Sequence, residues 1–173
     1  MTQNNTNHLF KEFSVDSKLI INLLQSFKQS TLWYRVDGFD MLDIEKIFWS
    51  KESLLKLIND KFPIKFCAVI KMDPFTEYNW HTDFTRGFTI NMLMENQASY
   101  CLFGDTLDEF NDSITILPYK IGRFYLFNTQ HRHSVINFEN PRYLFSIQFE
   151  QEKDELSYQE VYNWCLSQGL FYE

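Results

Sequence analysis

Breakers and thiols are scarce in this chain: four prolines, five glycines and three cysteines in 173 residues. So few breakers exclude a collagen-like repeat or a long low-complexity linker. Cys67, Cys101 and Cys165 are odd in number and form no Cys-x-x-Cys pair, which excludes a disulfide framework and a thiolate zinc site; reduced, buried thiols in a cytoplasmic protein are expected. No apolar run approaches the ~20 residues that span a bilayer. The polar start, residues 1–7, has neither a basic nor an apolar region of a secretory signal. Basic side chains are outnumbered 16 to 23, and the resulting charge of −7 disfavours nucleic acid as a partner. Apolar residues, by contrast, make up 45% of the chain and aromatic ones 18%, which excludes a disordered polymer. At this length folding buries roughly 70% of the unfolded surface, so the core needs no metal staple and a metal would serve chemistry.

The pattern along the chain predicts one domain, residues 1–173, with helical support over 1–63, a β core over 64–150 and a closing helix within 151–173. Leu19, Ile20, Leu23, Leu24 and Phe27 recur at helical spacing within 16–29, with Asp16 or Ser17 as N-cap. A second helical stretch over 43–60 carries Ile47, Phe48, Leu54, Leu55 and Ile58 and ends before Pro63. Seven runs rich in β-branched and aromatic residues follow, at 65–72, 88–94, 99–103, 113–117, 123–127, 134–138 and 143–149, separated by turn signals. They predict an α+β, mainly β chain built on an antiparallel sandwich or barrel. Residues 157–166 return to helical spacing through Val161, Trp164 and Cys165 and are expected outside the sheet.

Three of the four histidines lie in the β region. His81 and Asp83 form a His-x-Asp triplet, a spacing that puts imidazole and carboxylate on one face of an extended strand. Alone it says little, because chance supplies such a triplet in about one of four sequences of this composition. A second cluster, His131 and His133, follows about 50 residues later, and Arg142 opens an apolar strand after that. Two histidines and a carboxylate leave half of an octahedral shell open, which suits non-haem Fe(II) better than structural zinc. A planar, permanently charged arginine in an apolar strand can grip a carboxylate with two hydrogen bonds.

In this order, His81-x-Asp83, then His133-x-Val135-x-Asn137, then Arg142-x-Leu144-x-Ser146-x-Gln148, the residues resemble the Fe(II)- and 2-oxoglutarate-dependent oxygenases, most closely the small prolyl-hydroxylase-like and aspartyl/asparaginyl-hydroxylase-like members. The resemblance covers residues 65–150 and implies a double-stranded β-helix, or jelly roll. It implies that His81, Asp83 and His133 ligate iron and that Arg142 holds the distal carboxylate of 2-oxoglutarate, with Asn91 as a further cosubstrate contact. The family's usual spacing from second histidine to arginine falls between the nine residues from His133 and the eleven from His131. His133 fits the motif, and a shorter turn at Asn140-Pro141 absorbs the difference; His131 is left as a rim or structural residue. Tyr78, Trp80, Phe84 and Arg86 flank the ligands as candidate pocket walls. Substrate contacts are expected from the N-terminal helices and from the loops at 73–79 and 105–112. The implied reaction uses O2 to hydroxylate an amino acid, a peptide side chain or a small metabolite. The rival is a jelly-roll binding protein that keeps the fold without the oxidation.

Overall fold

From Arg142 to Phe149 the side chains alternate between two environments, and that alternation organises the molecule. Tyr143, Phe145, Ile147 and Phe149 enter the largest apolar core, whereas Arg142, Leu144 and Ser146 line a cavity on the opposite face. The computed structural model describes residues 6–95, 98–104 and 113–172. The strands in chain order are β1 (Phe10–Asp16), β2 (Tyr34–Val36), β3 (Phe39–Ile44), β4 (Ile64–Met72), β5 (Glu77–His81), β6 (Thr89–Leu93), β7 (Ser99–Gly104), β8 (Ile114–Leu117), β9 (Arg123–Phe127), β10 (His133–Asn137) and β11 (Arg142–Phe149). The helices are α1 (Leu19–Asn22), α2 (Leu24–Lys28), α3 (Lys46–Trp49), α4 (Ser53–Lys61) and α5 (Tyr158–Ser167).

A large antiparallel sheet has the order β1-β9-β6-β11-β4-β3-β2, and a small one the order β5-β10-β7-β8. From β4 onward the chain passes back and forth between them, which is the winding of a double-stranded β-helix. The helices cover the outer face of the large sheet. Ile20, Leu24, Phe27, Trp49, Leu55, Ile58, Val161 and Cys165 meet Val69, Ile90, Met92, Phe124, Leu126 and Phe145 there. Between the sheets a smaller cluster, with Phe103, Leu117, Tyr125 and Phe127, fills one part of the jelly roll and leaves the cavity in another. Among the described residues no helix is long and apolar enough to cross a membrane.

The jelly-roll core with a C-terminal helix is as the sequence predicts, but the first 63 residues are not purely helical. β1 precedes the helices and pairs with β9, and the hairpin β2–β3 extends the large sheet beyond β4. The expected helix over 16–29 is two short ones meeting at Leu23, which ends α1 and starts α2. Ser17 is no N-cap; its buried hydroxyl donates instead to Glu52 Oε1 at 2.5 Å. The stretch over 43–60 starts as strand and then forms α3 and α4; Ile47 and Phe48 face solvent while Trp49 takes the core position. Part of the predicted 73–79 loop is β5. Hairpin β2–β3 turns at Asp37-Gly38, both at positive φ (34° and 97°), the two-residue turn whose twist matches the strands it joins. The 105–112 loop lies outside the described residues.

Candidate metal centre

Strand register brings the two histidines together. In the β5–β10 ladder His81 stands opposite His133, and their ring centroids are 4.2 Å apart. Between this pair and the next, Tyr78 opposite Val135, β5 has one residue more than β10. That bulge matters because Tyr78 and His81, three residues apart, would otherwise face opposite sides; both line the cavity. Ser134 Oγ donates to the Tyr78 carbonyl at 3.0 Å and secures the bulge. Past His81 the chain leaves the strand and Asp83 returns from the following loop. That loop is pinned to the turn before β10: Asp83 N–H donates to the Thr129 carbonyl (3.0 Å), and Gln130 Nε2 donates to the carbonyls of Asp83 (3.0 Å) and Arg86 (2.7 Å).

His81, Asp83 and His133 present one ligand atom each, all within 4.8 Å of one another. Asp83 Oδ1 lies 3.5 Å from His81 Nε2 and 4.0 Å from His133 Nε2. Each imidazole is fixed from behind, His81 Nδ1 by the Asn79 carbonyl at 2.6 Å and His133 Nδ1 by the His131 carbonyl at 2.9 Å, which leaves both Nε2 lone pairs for an ion. Arg86 fixes the carboxylate, its Nε and a terminal nitrogen donating to Oδ2 at 2.7 and 2.6 Å, so Oδ1 is the oxygen turned to the histidines. Burial works to raise the Asp83 carboxyl, but His81, Arg86 and His133 outweigh it and hold the pKa below the ordinary range. Burial lowers His133 to about 4, so that imidazole is neutral and ready to ligate at neutral pH. His81, where burial is outweighed by Asp83 and the Asn79 carbonyl, titrates above its usual value.

A cavity of about 100 Å³ runs inward from the histidines to Arg142. Arg142 is 3% exposed, and no carboxylate pairs with it among the described residues. Its guanidinium carbon is 5.7 Å from the centre of the Tyr119 ring. The Tyr119 hydroxyl is itself buried without a hydrogen-bond partner there. A buried cation and an orphaned hydroxyl in one cavity are costly unless a polar, anionic guest satisfies them. Asn91 lines the same wall, its Oδ1 accepting from Thr89 Oγ1 at 3.2 Å. Ile70, Met72, Phe127, Val135 and Leu144 supply the apolar remainder.

The other residues singled out in the sequence fall in different places. Tyr78 stacks edge-on to His81 at 4.4 Å inside the cavity, Trp80 lies half-buried in an outer groove, and Phe84 stands 89% exposed at its lip. Arg86 is engaged by Asp83 rather than offered to a ligand. The His131 side chain turns away into a separate depression beside His8, 5.3 Å between ring centres. Tyr119 and the β2–β3 hairpin escaped sequence reasoning. The hairpin had a legible signal, Asp-Gly between alternating Tyr34, Val36, Phe39 and Met41; Tyr119 had none, since its role depends on the distant Arg142.

No family model matches the sequence, and no curated protein matches it either. Solved structures do share the fold. A prolyl-4-hydroxylase from Pseudomonas putida aligns with a TM-score of 0.61 over 82% of this chain and 91% of its own, at 11% identity. A prolyl hydroxylase from Trichoplax adhaerens, solved with a hypoxia inducible factor peptide fragment, gives 0.60 over 81% of each chain at 15% identity. A 2OG-Fe(II) oxygenase family oxidoreductase from Burkholderia pseudomallei gives 0.53 over 75% of this chain and 76% of its own at 12% identity. The chain thus has the fold of the 2-oxoglutarate- and Fe(II)-dependent oxygenases, with a His-Asp-His group inside it.

Proposed function

We propose that the protein is an Fe(II)- and 2-oxoglutarate-dependent oxygenase that hydroxylates a C–H bond of an amino acid, peptide side chain or small metabolite, with succinate and CO2 as coproducts. The observation that carries this reading is one cavity joining a three-ligand cluster to a buried arginine with which no carboxylate pairs among the described residues. The donor set fits the metal: two imidazole nitrogens and one carboxylate oxygen, grouped on one side, are the ligands Fe(II) takes when it must keep positions open. The cavity fits the cosubstrate, a dianion whose one end chelates the metal and whose other end needs a cationic anchor. With both bound, the centre supplies the oxidation of an unactivated C–H bond by O2.

The chain's own part is positioning. His81 and His133 present Nε2 because backbone carbonyls hold their other nitrogens, and Arg86 aims Asp83. Arg142 would hold the distal carboxylate of the cosubstrate, with the Tyr119 hydroxyl beside it as a further donor. The apolar wall excludes water, which strengthens these contacts.

Anaerobic addition of Fe(II) and then 2-oxoglutarate to the purified chain should develop the weak visible charge-transfer band of the chelate. Asp83→Ala should abolish it through loss of metal, and Arg142→Ala should demand far more 2-oxoglutarate. No band and no iron uptake would leave the chain a jelly-roll binding protein.

A further inference from the structure

Outside the inner cavity, two grooves meet at Asp83. One is lined by Glu77, Tyr78, Trp80, His81 and Thr82, the other by Tyr34, Met41, Phe66, Ser146 and Gln148, and Asp37, Asp83 and Phe84 border both. These adjoining grooves, about 490 and 560 Å³, together make a trough beside the candidate metal centre, bordered by the β2–β3 turn and the loop that carries Phe84. Grooves that adjoin at the candidate metal centre suit a chain laid across it better than a small molecule enclosed in it. The hairpin wall is braced, since Phe39 packs edge-on against Tyr78 at 5.5 Å.

Charge is segregated between cavity and trough. The cavity holds the Arg142 cation, whereas the trough carries Asp37 and Glu77, both exposed and neither in an ion pair among the described residues. Arg86, the cation on the trough lining, is neutralised by Asp83. Arg132 and Lys153 lie over the Trp80 and Phe84 rings, 5.2 and 5.6 Å from their centres, but neither lines the trough. The whole chain adds its −7 to the sign of Asp37 and Glu77.

We propose, resting on the oxygenase reading above, that the substrate is an extended polypeptide segment bearing a basic side chain, selected by Asp37 and Glu77 at the mouth of the metal centre. The anionic trough then takes the cationic substrate and repels the dianionic cosubstrate, which the Arg142 end of the cavity takes instead. Tyr78, Trp80 and Phe84 offer apolar walls to the methylene stem of such a side chain.

The test uses the full chain with Fe(II) and 2-oxoglutarate under nitrogen, and short fluorescein-labelled Gly/Ser peptides with a central Lys, Gln or Glu, read by anisotropy. The Lys peptide should bind roughly tenfold tighter than the Glu peptide, with Gln between them. In a D37N/E77Q double variant the Lys and Gln peptides should bind alike. Asn keeps the turn, because it accepts the positive φ of position 37. Equal binding of all three peptides, binding of none up to millimolar concentration, or a preference that survives the double variant overturns the proposal. Free L-lysine competing as well as the Lys peptide overturns the extended-segment part. The visible band recorded on the same samples separates the two readings: a band without charge preference sinks only the basic substrate, and an absent band sinks the oxygenase.

Discussion

Arg86 shows how much of the candidate metal centre is set by what stands behind its ligands. Asp83 is 10% exposed in its side chain, and one of its oxygens accepts two hydrogen bonds from Arg86 while the other faces the histidines. Without that clamp the carboxylate can rotate, and the three ligand atoms lose their common focus. Changing Arg86 to Met, which keeps length and loses the donors, should weaken Fe(II) or Mn(II) binding about 10- to 100-fold, as loss of a ligand's supporting partner does elsewhere. Lys should restore part of it, because one donor replaces two. Calorimetric metal titration of the two variants reads this directly, and unchanged affinity in the Met variant would mean that the loop backbone alone positions Asp83.

At the scale of elements, α5 shows the most complete local encoding. Ser157 Oγ accepts from the Glu160 N–H at 3.3 Å while Glu160 Oε2 accepts from the Ser157 N–H at 2.8 Å, and Val161 and Cys165 of the same helix are fully buried against the large sheet. Ser157→Ala should cost about 1 kcal/mol and lower the midpoint of thermal unfolding by about 2–4 °C. Such local signals made α5 and the strands β4 and β6 to β11 legible: alternation in Arg142–Phe149 or continuous burial in Thr89–Leu93 marks strand on its own. The missed strands lack it. β1 carries Lys11, Glu12 and Asp16, and β3 carries Asp40, held by Arg35 and Lys71, and Asp43, held by Tyr34. β5 follows a Pro turn signal, and its bulge breaks the period that would reveal it. The His-x-Asp and Arg142 motifs stood out because chemistry restricts residue type and order. Tyr119 stayed hidden and Arg86 was expected at the pocket wall rather than behind Asp83, because the parts of both come from neighbours in space.

For the molecule as a whole, the site sets how stability responds to acid before any metal is bound. His133 titrates near 4 in the folded chain against an ordinary 6.5, so between these values the unfolded state takes up the proton and the folded state does not. Stability is therefore lost as pH falls from about 6.5 to about 4, by up to about 3 kcal/mol for this residue. His81, shifted upward, works in the opposite sense, its contribution present below 6.5 and fading as pH rises. Urea unfolding of the metal-free protein across this range should show the net loss, and His133→Gln should flatten the curve. Parallel pH curves for the two proteins would show that His133 is not buried in its neutral form.

The winding of the chain has a further consequence, in time. β5 supplies His81, yet its ladder partner β10 with His133 is about 50 residues downstream, and Arg142 later still. During synthesis those residues emerge about 3–10 seconds apart. For that interval the nascent chain owns His81 and Asp83 but neither His133 nor Arg142. On the oxygenase reading, the full ligand set then exists only once β10 has paired with β5, so the half-made chain offers iron two ligands rather than three.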